Sequence, residues 1–229
     1  MLLAKRCALA IDFGSGVFSH LRSRTDPAQL DAVVISHMHA DHFFDLVPLR
    51  YALKYELRRS EPLPVFLPPD GARALRVMGN MLASSEAFFD GIFEIREYIP
   101  HDGLTFDGCA IRFAETVHYI PAYAMRIEVD DAVLTYSADT APCDAVAELA
   151  RDADIFLCEA ALGALGKEYG RRGHMSADEA GELARRAEAK RLVLTHYGAG
   201  AEPSELSAAA ARYFSGEITV ADDGMDLSF

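Results

Sequence analysis

The stretch ISHMHADHFFD, residues 35–45, sets three of the chain's eight histidines and an aspartate within six positions. It overlaps the end of the apolar run DAVVIS, whose short, β-branched character reads as a buried strand. A loop leaving a strand folds back over the sheet edge, so neighbouring side chains converge on one point. Imidazole and carboxylate suit zinc, manganese or iron, and no cysteine lies near to shift the preference toward thiolate. A lone histidine is more often a satisfied core or surface residue. His37, His39, Asp41 and His42, at H-x-H-x-D-H spacing, point instead to a metal site.

Outward from this segment, helix and strand patterns alternate. The strand CALAIDF and the turn GSG precede it. A helix over FDLVPLRYALKYELRR (44–59), the strand LPVFLP and the helix DGARALRVMGNMLAS follow. Residues 92–136 read mostly as strands, among them AIRFAETV, AYAMRIEV and AVLTYSA, with a turn at Asp130–Asp131. The last third alternates PCDAVAELARD, DIFLCEA, SADEAGELARRAEA, RLVLTH, PSELSAAAARYF and EITVA. Ser176 and Glu179 form a capping box at the start of one of these helices. The pattern predicts one α/β domain over residues 1–229, with sheets packed together and helices outside. GSG lacks the third glycine and the acidic partner of a dinucleotide loop, so it reads as a tight turn.

Three more polar residues end apolar runs: His118 after IRFAETV, Asp139 after VLTYS, and His196 closing RLVLTH. Such strand ends are where α/β folds collect their sites. With the segment at 37–42 they make seven candidate ligands, enough for two metal ions sharing a carboxylate.

The bulk numbers fit a globular protein: half the residues are hydrophobic, a quarter are charged, and no run is long and apolar enough to span a bilayer. The 22 basic against 35 acidic side chains give −13, which disfavours long nucleic acids as partners. Cys7, Cys109, Cys143 and Cys158 are scattered, and the N-terminus does not read as a secretion signal. Free thiols in a cytoplasmic protein are the expectation.

IDFGSG, HMHADH, ETVH, SADT and LTH, in that order, resemble the motifs of the metallo-β-lactamase superfamily, and the resemblance covers essentially the whole chain. It implies a four-layer αββα sandwich with two divalent metal ions, zinc by expectation, with manganese or iron also suited. By the resemblance His37, His39 and His118 hold the first ion, Asp41, His42 and His196 the second, and Asp139 bridges them. Asp12 braces the histidine loop. Relatives usually begin with a further strand and glycine loop, so an edge strand is expected to be missing at the N-terminus.

Glu159, ending DIFLCEA, and His174, before the capped helix, match a pair found in ribonuclease Z-like members of the superfamily. A carboxylate on one imidazole nitrogen favours the protonated ring and aims the other N–H. The implied reaction is hydrolysis of a phosphodiester by metal-bound hydroxide, with His174 as general acid, Glu159 steadying it and Asp41 accepting a proton. Ribonuclease Z carries a tRNA-gripping arm between the positions of His118 and Asp139; here only 20 residues separate them. The chain resembles arm-less relatives that include atypical cyclic-nucleotide phosphodiesterases, which implies a small phosphate-bearing substrate such as a cyclic nucleotide. A tRNA 3′-processing endonuclease and a non-catalytic metal-binding scaffold are the alternatives. Lys167, Arg171 and Arg172 make a local basic patch, Tyr119, Tyr123 and Tyr197 are candidates to stack on a base, and relatives imply a homodimer.

Overall fold

The computed structural model describes residues 2–4, 7–57 and 59–229. Met1, Lys5 and Arg6 of the N-terminal stretch, and Arg58 within the predicted helix 44–59, lie outside the described residues. The chain divides into two compact units, Met1–Asp102 with Phe106–Gly108, and Gly103–Thr105 with Cys109–Phe229.

The first unit is built on a five-stranded sheet. Its order is β1 (Leu2–Ala4), β2 (Cys7–Ile11), β3 (Ala32–Val34), β4 (Leu63–Leu67) and β5 (Phe93–Glu97). β1 runs antiparallel to β2 at the edge, and β2 to β5 are parallel. Ala32, Val33 and Val34 are fully buried, which explains the unbroken apolar run: a parallel strand covered on both faces has no polar side to show. Helices α1 (Val17–Arg24), α2 (Ala40–Phe43), α3 (Leu46–Tyr51) and α4 (Gly71–Ala83) complete the unit. Phe13, Leu46, Leu49, Leu75 and Phe89 pack with Val33 and Val65 in its core. Each large apolar side chain buried there contributes about 2 kcal/mol.

The single helix expected over 44–59 is broken in the structure. The helical chain starts earlier, in a single turn at Ala40 that carries Asp41 and His42, and restarts at Leu46. The break falls at Asp45, whose carboxylate accepts the Gly16 and Phe18 N–H groups, each at 2.9 Å. That restart places Pro48 in the first turn of α3, where its missing N–H costs nothing. Residues Ala52–Glu56 continue as a π-helical turn.

The second unit has a seven-stranded sheet. In chain order its strands are β6 (Leu104–Phe106), β7 (Cys109–Glu115), β8 (Tyr123–Val129), β9 (Ala132–Tyr136), β10 (Ile155–Glu159), β11 (Arg191–Thr195) and β12 (Glu217–Val220). They lie side by side in sequence order. β7, β8 and β9 form an antiparallel meander, and β9 to β12 are parallel. Helices α5 (Asp144–Leu149), α6 (Ala177–Arg186) and α7 (Pro203–Ala210) bury Val146, Leu183 and Leu206 with Phe156 and Leu192. The expected capping box opens α6: Glu179 accepts the Ser176 N–H at 3.2 Å.

This topology fixes where functional residues fall. β7 and β9 both run opposite to β8, and β10 and β11 follow β9, so all four end at one edge. His118, Asp139, Glu159 and His196 end or follow those strands. In the first unit Asp12 follows β2 and His37 follows its parallel neighbour β3.

Candidate metal centre

In the first unit the turn Asp12–Gly16 seats the histidine loop. Phe13 N–H donates to the His42 carbonyl at 2.7 Å, and Asp45 N–H to the Phe13 carbonyl at 3.0 Å. Gly14 lies so close beneath that a Cβ there would stand 1.6 Å from the Asp41 carbonyl oxygen. Only glycine allows this approach, so the expected tight turn is also a close-packed seat. Asp12 sits at φ 54°, in the left-handed region. Its carboxylate takes the Ser36 N–H at 2.6 Å, the Ser36 hydroxyl at 2.8 Å and Nδ1 of His42 at 2.7 Å.

These bonds set the imidazole tautomers. The one hydroxyl proton of Ser36 goes to Asp12, so the contact of Ser36 Oγ with His37 Nδ1 at 3.0 Å is a donation from the ring. Nδ1 carries the proton in His37 and His42, and the lone pair sits on Nε2. Nε2 of His37 and Nδ1 of His39 are 3.2 Å apart. Two nitrogens bound to one tetrahedral ion at 2.0–2.1 Å stand about 3.4 Å apart, close to this separation. His42 Nε2 is 3.7 Å from Asp41 Oδ2, and the Asp41 side chain is 64% exposed.

In the second unit Asp139 is central. Its Oδ2 is 3.9 Å from Nε2 of His118, and its Oδ1 is 3.6 Å from Nδ1 of His196. His118 Nδ1 donates to the Gly173 carbonyl at 2.8 Å, which again leaves the lone pair on Nε2. Ala138 and His196 have φ 49° and 52°. A left-handed conformation costs a non-glycine residue about 1–2 kcal/mol, and such strain gathers at functional sites.

Glu159 is fully buried. Oε1 accepts Thr140 N–H at 2.7 Å and Nδ1 of His174 at 2.9 Å; Oε2 accepts Ala161 N–H at 3.1 Å and Met175 N–H at 3.3 Å. Four donors explain how a carboxylate tolerates this depth. The Glu159 hydrogen bond raises the His174 pKa above the usual imidazole value against the opposing effect of burial, with further help from the charges of Glu159, Asp139 and Glu168. Asp139, Glu159, His174 and His196 each offer a ligand atom, all within 4.8 Å of one another.

In each unit the residues present fit divalent-metal ligation. His37 and His42 in the first unit are held through Nδ1 by a hydroxyl and a carboxylate, and His118 in the second by a carbonyl, the arrangement that aims histidines at a cation. Asp139 adds a buried carboxylate, and Cys158, with burial driving its thiol pKa far up, is no rival ligand.

Sequence reasoning missed Ser36, the Gly173 carbonyl and the Thr140 N–H. Ser36 had one signal, its position between a strand and His37; backbone donors and acceptors have none. Arg171 donates to the His118 and Tyr119 carbonyls, at 3.3 and 2.9 Å, and Arg172 to Glu179 at 2.6 Å, so these two cations brace the loop. Of the three candidate stacking rings Tyr123 is buried, Tyr197 is tied by its hydroxyl to the Ala221 carbonyl, and Tyr119 is 36% exposed.

Known proteins match this architecture. Residues 10–197 match the family model described as "Beta-lactamase superfamily domain". The protein named "Probable metallo-hydrolase YhfI" from Bacillus subtilis (strain 168) is 32% identical over 221 residues, covering 95% of this chain and 86% of the relative. A crystal structure of YhfI, a metallo-β-lactamase fold protein, superposes with a TM-score of 0.87 over 97% of this chain and 88% of that one, at 28% identity. Ribonuclease Z of Mycobacterium bovis (strain BCG / Pasteur 1173P2) is 30% identical over 241 residues, covering 94% of this chain and 86% of the relative. A diphosphatase from the PhnP family shares the fold, with a TM-score of 0.74 at 21% identity, over 96% of this chain and 79% of that one.

Proposed function

This chain belongs to the beta-lactamase superfamily as a metallo-hydrolase, and we propose that it is a dinuclear phosphodiesterase acting on a small phosphodiester such as a cyclic nucleotide. The Glu159–His174 pair carries the reading, because hydrolysis at phosphorus needs a proton for the leaving oxygen. A buried carboxylate 2.9 Å from Nδ1 raises the ring's pKa, favours its protonated form and leaves the Nε2 proton for donation.

His37, His39, Asp41, His42, His118, Asp139 and His196 would hold two divalent cations, for which zinc suits the nitrogen and carboxylate donors. Bound there, the cations supply an attacking oxygen at neutral pH and offset charge on the phosphoryl group. The chain's own residues do the rest. Asp41, exposed and carboxylate-bearing, takes up the proton shed by the nucleophile. His174 passes its Nε2 proton to the departing alkoxide, and Glu159 stabilises the imidazolium before the transfer.

The small substrate is supported by the stretch between His118 and Asp139. Apart from a short link it is filled by β8, the turn at Asp130 and β9, with no added segment to grip a tRNA body. The net charge of −13 argues the same way. The 30% identity to a ribonuclease Z keeps tRNA 3′ processing as the second reading. Metal analysis of the purified protein, then assay with bis-(p-nitrophenyl) phosphate, cyclic nucleotides and a tRNA precursor, decides between them. Cyclic-nucleotide hydrolysis upholds the proposal and trailer cleavage favours the ribonuclease. Two metal equivalents with no hydrolysis leaves a binding scaffold.

A further inference from the structure

Between β10 and α6 the chain runs through residues 160–176 as a loop that carries His174. Near its origin the loop is sewn to the sheet by Ala160 N–H on the Thr195 carbonyl at 2.8 Å. Farther out, beside the braces from Arg171 and Arg172, one carboxylate gathers its backbone. Oε2 of Glu168 accepts both the Gly173 N–H, at 2.7 Å, and the His174 N–H, at 3.0 Å, while Oε1 accepts the Tyr119 hydroxyl. The peptide so held is the one whose carbonyl takes Nδ1 of His118. The Tyr119 ring lies flush on Gly173, where an added Cβ would stand 2.6 Å from it. His118, Tyr119 and His174 form a cluster of rings, with centroids 4.9 Å apart for His118–His174 and 5.7 Å for Tyr119–His174.

His174 is therefore held by two carboxylates with different tasks. Glu159 fixes the ring through Nδ1 and takes the Met175 N–H on its far side; Glu168 fixes the Gly173 and His174 N–H groups on its near side. Neither carboxylate replaces the other, because a ring clamped at Nδ1 can still swing when the peptide before its Cα moves. We infer that Glu168 is a positioning residue: it locks the Gly173–His174 peptide to the Tyr119 turn, and so keeps His174 Nε2 in line with the leaving oxygen without touching a reacting atom. The inference rests on the proposed role of His174 as proton donor. Its backbone part stands on hydrogen bonds that are independent of that role.

The test uses the metal-loaded full chain and bis-(p-nitrophenyl) phosphate. In Glu168→Ala the kcat is expected to fall roughly tenfold to a hundredfold, the scale of a misplaced catalytic group, with KM shifted less than about twofold. Metal content stays that of the parent. In a His174→Ala background the same change should cost much less, because Glu168 acts on the leaving group through His174. Glu168→Gln, which keeps an acceptor oxygen, should recover most of the rate; it also serves if the alanine variant does not fold. Amide exchange at Gly173 and His174 should quicken in Glu168→Ala. Unchanged exchange there, or an equal loss of rate with and without His174, overturns the inference. Full activity in His174→Ala alone overturns the proton-donor reading instead, and the exchange measurement still decides whether Glu168 holds the backbone.

Discussion

Nδ1 of His42 donates to the Asp12 carboxylate at 2.7 Å, and the same carboxylate holds the backbone and hydroxyl of Ser36. One side chain thus orients His42 directly and His37 through Ser36. Asp12→Asn keeps the shape and tolerates the left-handed backbone, but replaces an acceptor oxygen with an N–H₂. Metal affinity is expected to fall about 10- to 100-fold, the usual effect of removing a partner behind a ligand. Dialysis against graded chelator followed by metal analysis measures this, and parental retention would refute the role given to Asp12.

Gly14→Ala tests the seat beneath the histidine loop. The added methyl meets the Asp41 carbonyl at 1.6 Å, a distance no rotamer relieves, because the clash is with backbone. A loss of about 3 kcal/mol or more is expected, above the usual range for overpacking. Thermal unfolding should show a drop of several degrees together with weakened metal binding. A melting point equal to the parent's would show that the loop shifts freely.

His174→Ala should lower kcat by about 100- to 10,000-fold, the span of general acid catalysis, while metal content stays at the parental level. Glu159→Gln should reproduce much of that loss, because it still accepts from Thr140 but no longer stabilises the imidazolium. Asp139→Ala should instead strip metal. Elemental analysis beside turnover separates the three, and loss of metal in His174→Ala would make that residue a ligand.

In metal-free protein the His174 resonance should titrate above the ordinary imidazole value of 6.5, because of the Glu159 hydrogen bond. A raised folded pKa adds stability that is fully present below pH 6.5 and fades as pH climbs through the folded value. Unfolding free energy should therefore decline with rising pH across that window, and decline less in Glu159→Gln. Imidazole NMR with denaturant titrations at several pH values checks both. A titration at or below 6.5 would contradict it.

Most strands, and the polar residues set at their ends, were legible in the sequence for a shared reason. Burial on both faces writes β3 and β10 as apolar runs, and a His or Asp at the end of such a run is conspicuous. The apolar pattern consistently ran past the strand itself: Ile35, Val117, Ala138 and Ala160 all lie beyond β3, β7, β9 and β10. Ile35, Ala138 and Ala160 are buried and Val117 bridges to Ala141, so these residues continue the sheet edges without extending the regular strands, a distinction periodicity cannot make. The helix break at Asp45 was illegible because its cause is a hydrogen bond from residues 29 and 27 positions earlier. The role of Glu168 was hidden likewise, since its partners are backbone N–H groups and a tyrosine 49 residues away.

The missing side chain at Gly14 has a practical corollary for protein engineering. A transplant of HMHADH alone into another scaffold would deliver the donors without the floor they rest on. The graft has to travel as a two-piece cassette, IDFGSG with SHMHADHFFD, or the imported imidazoles will face a surface shaped for a different chain.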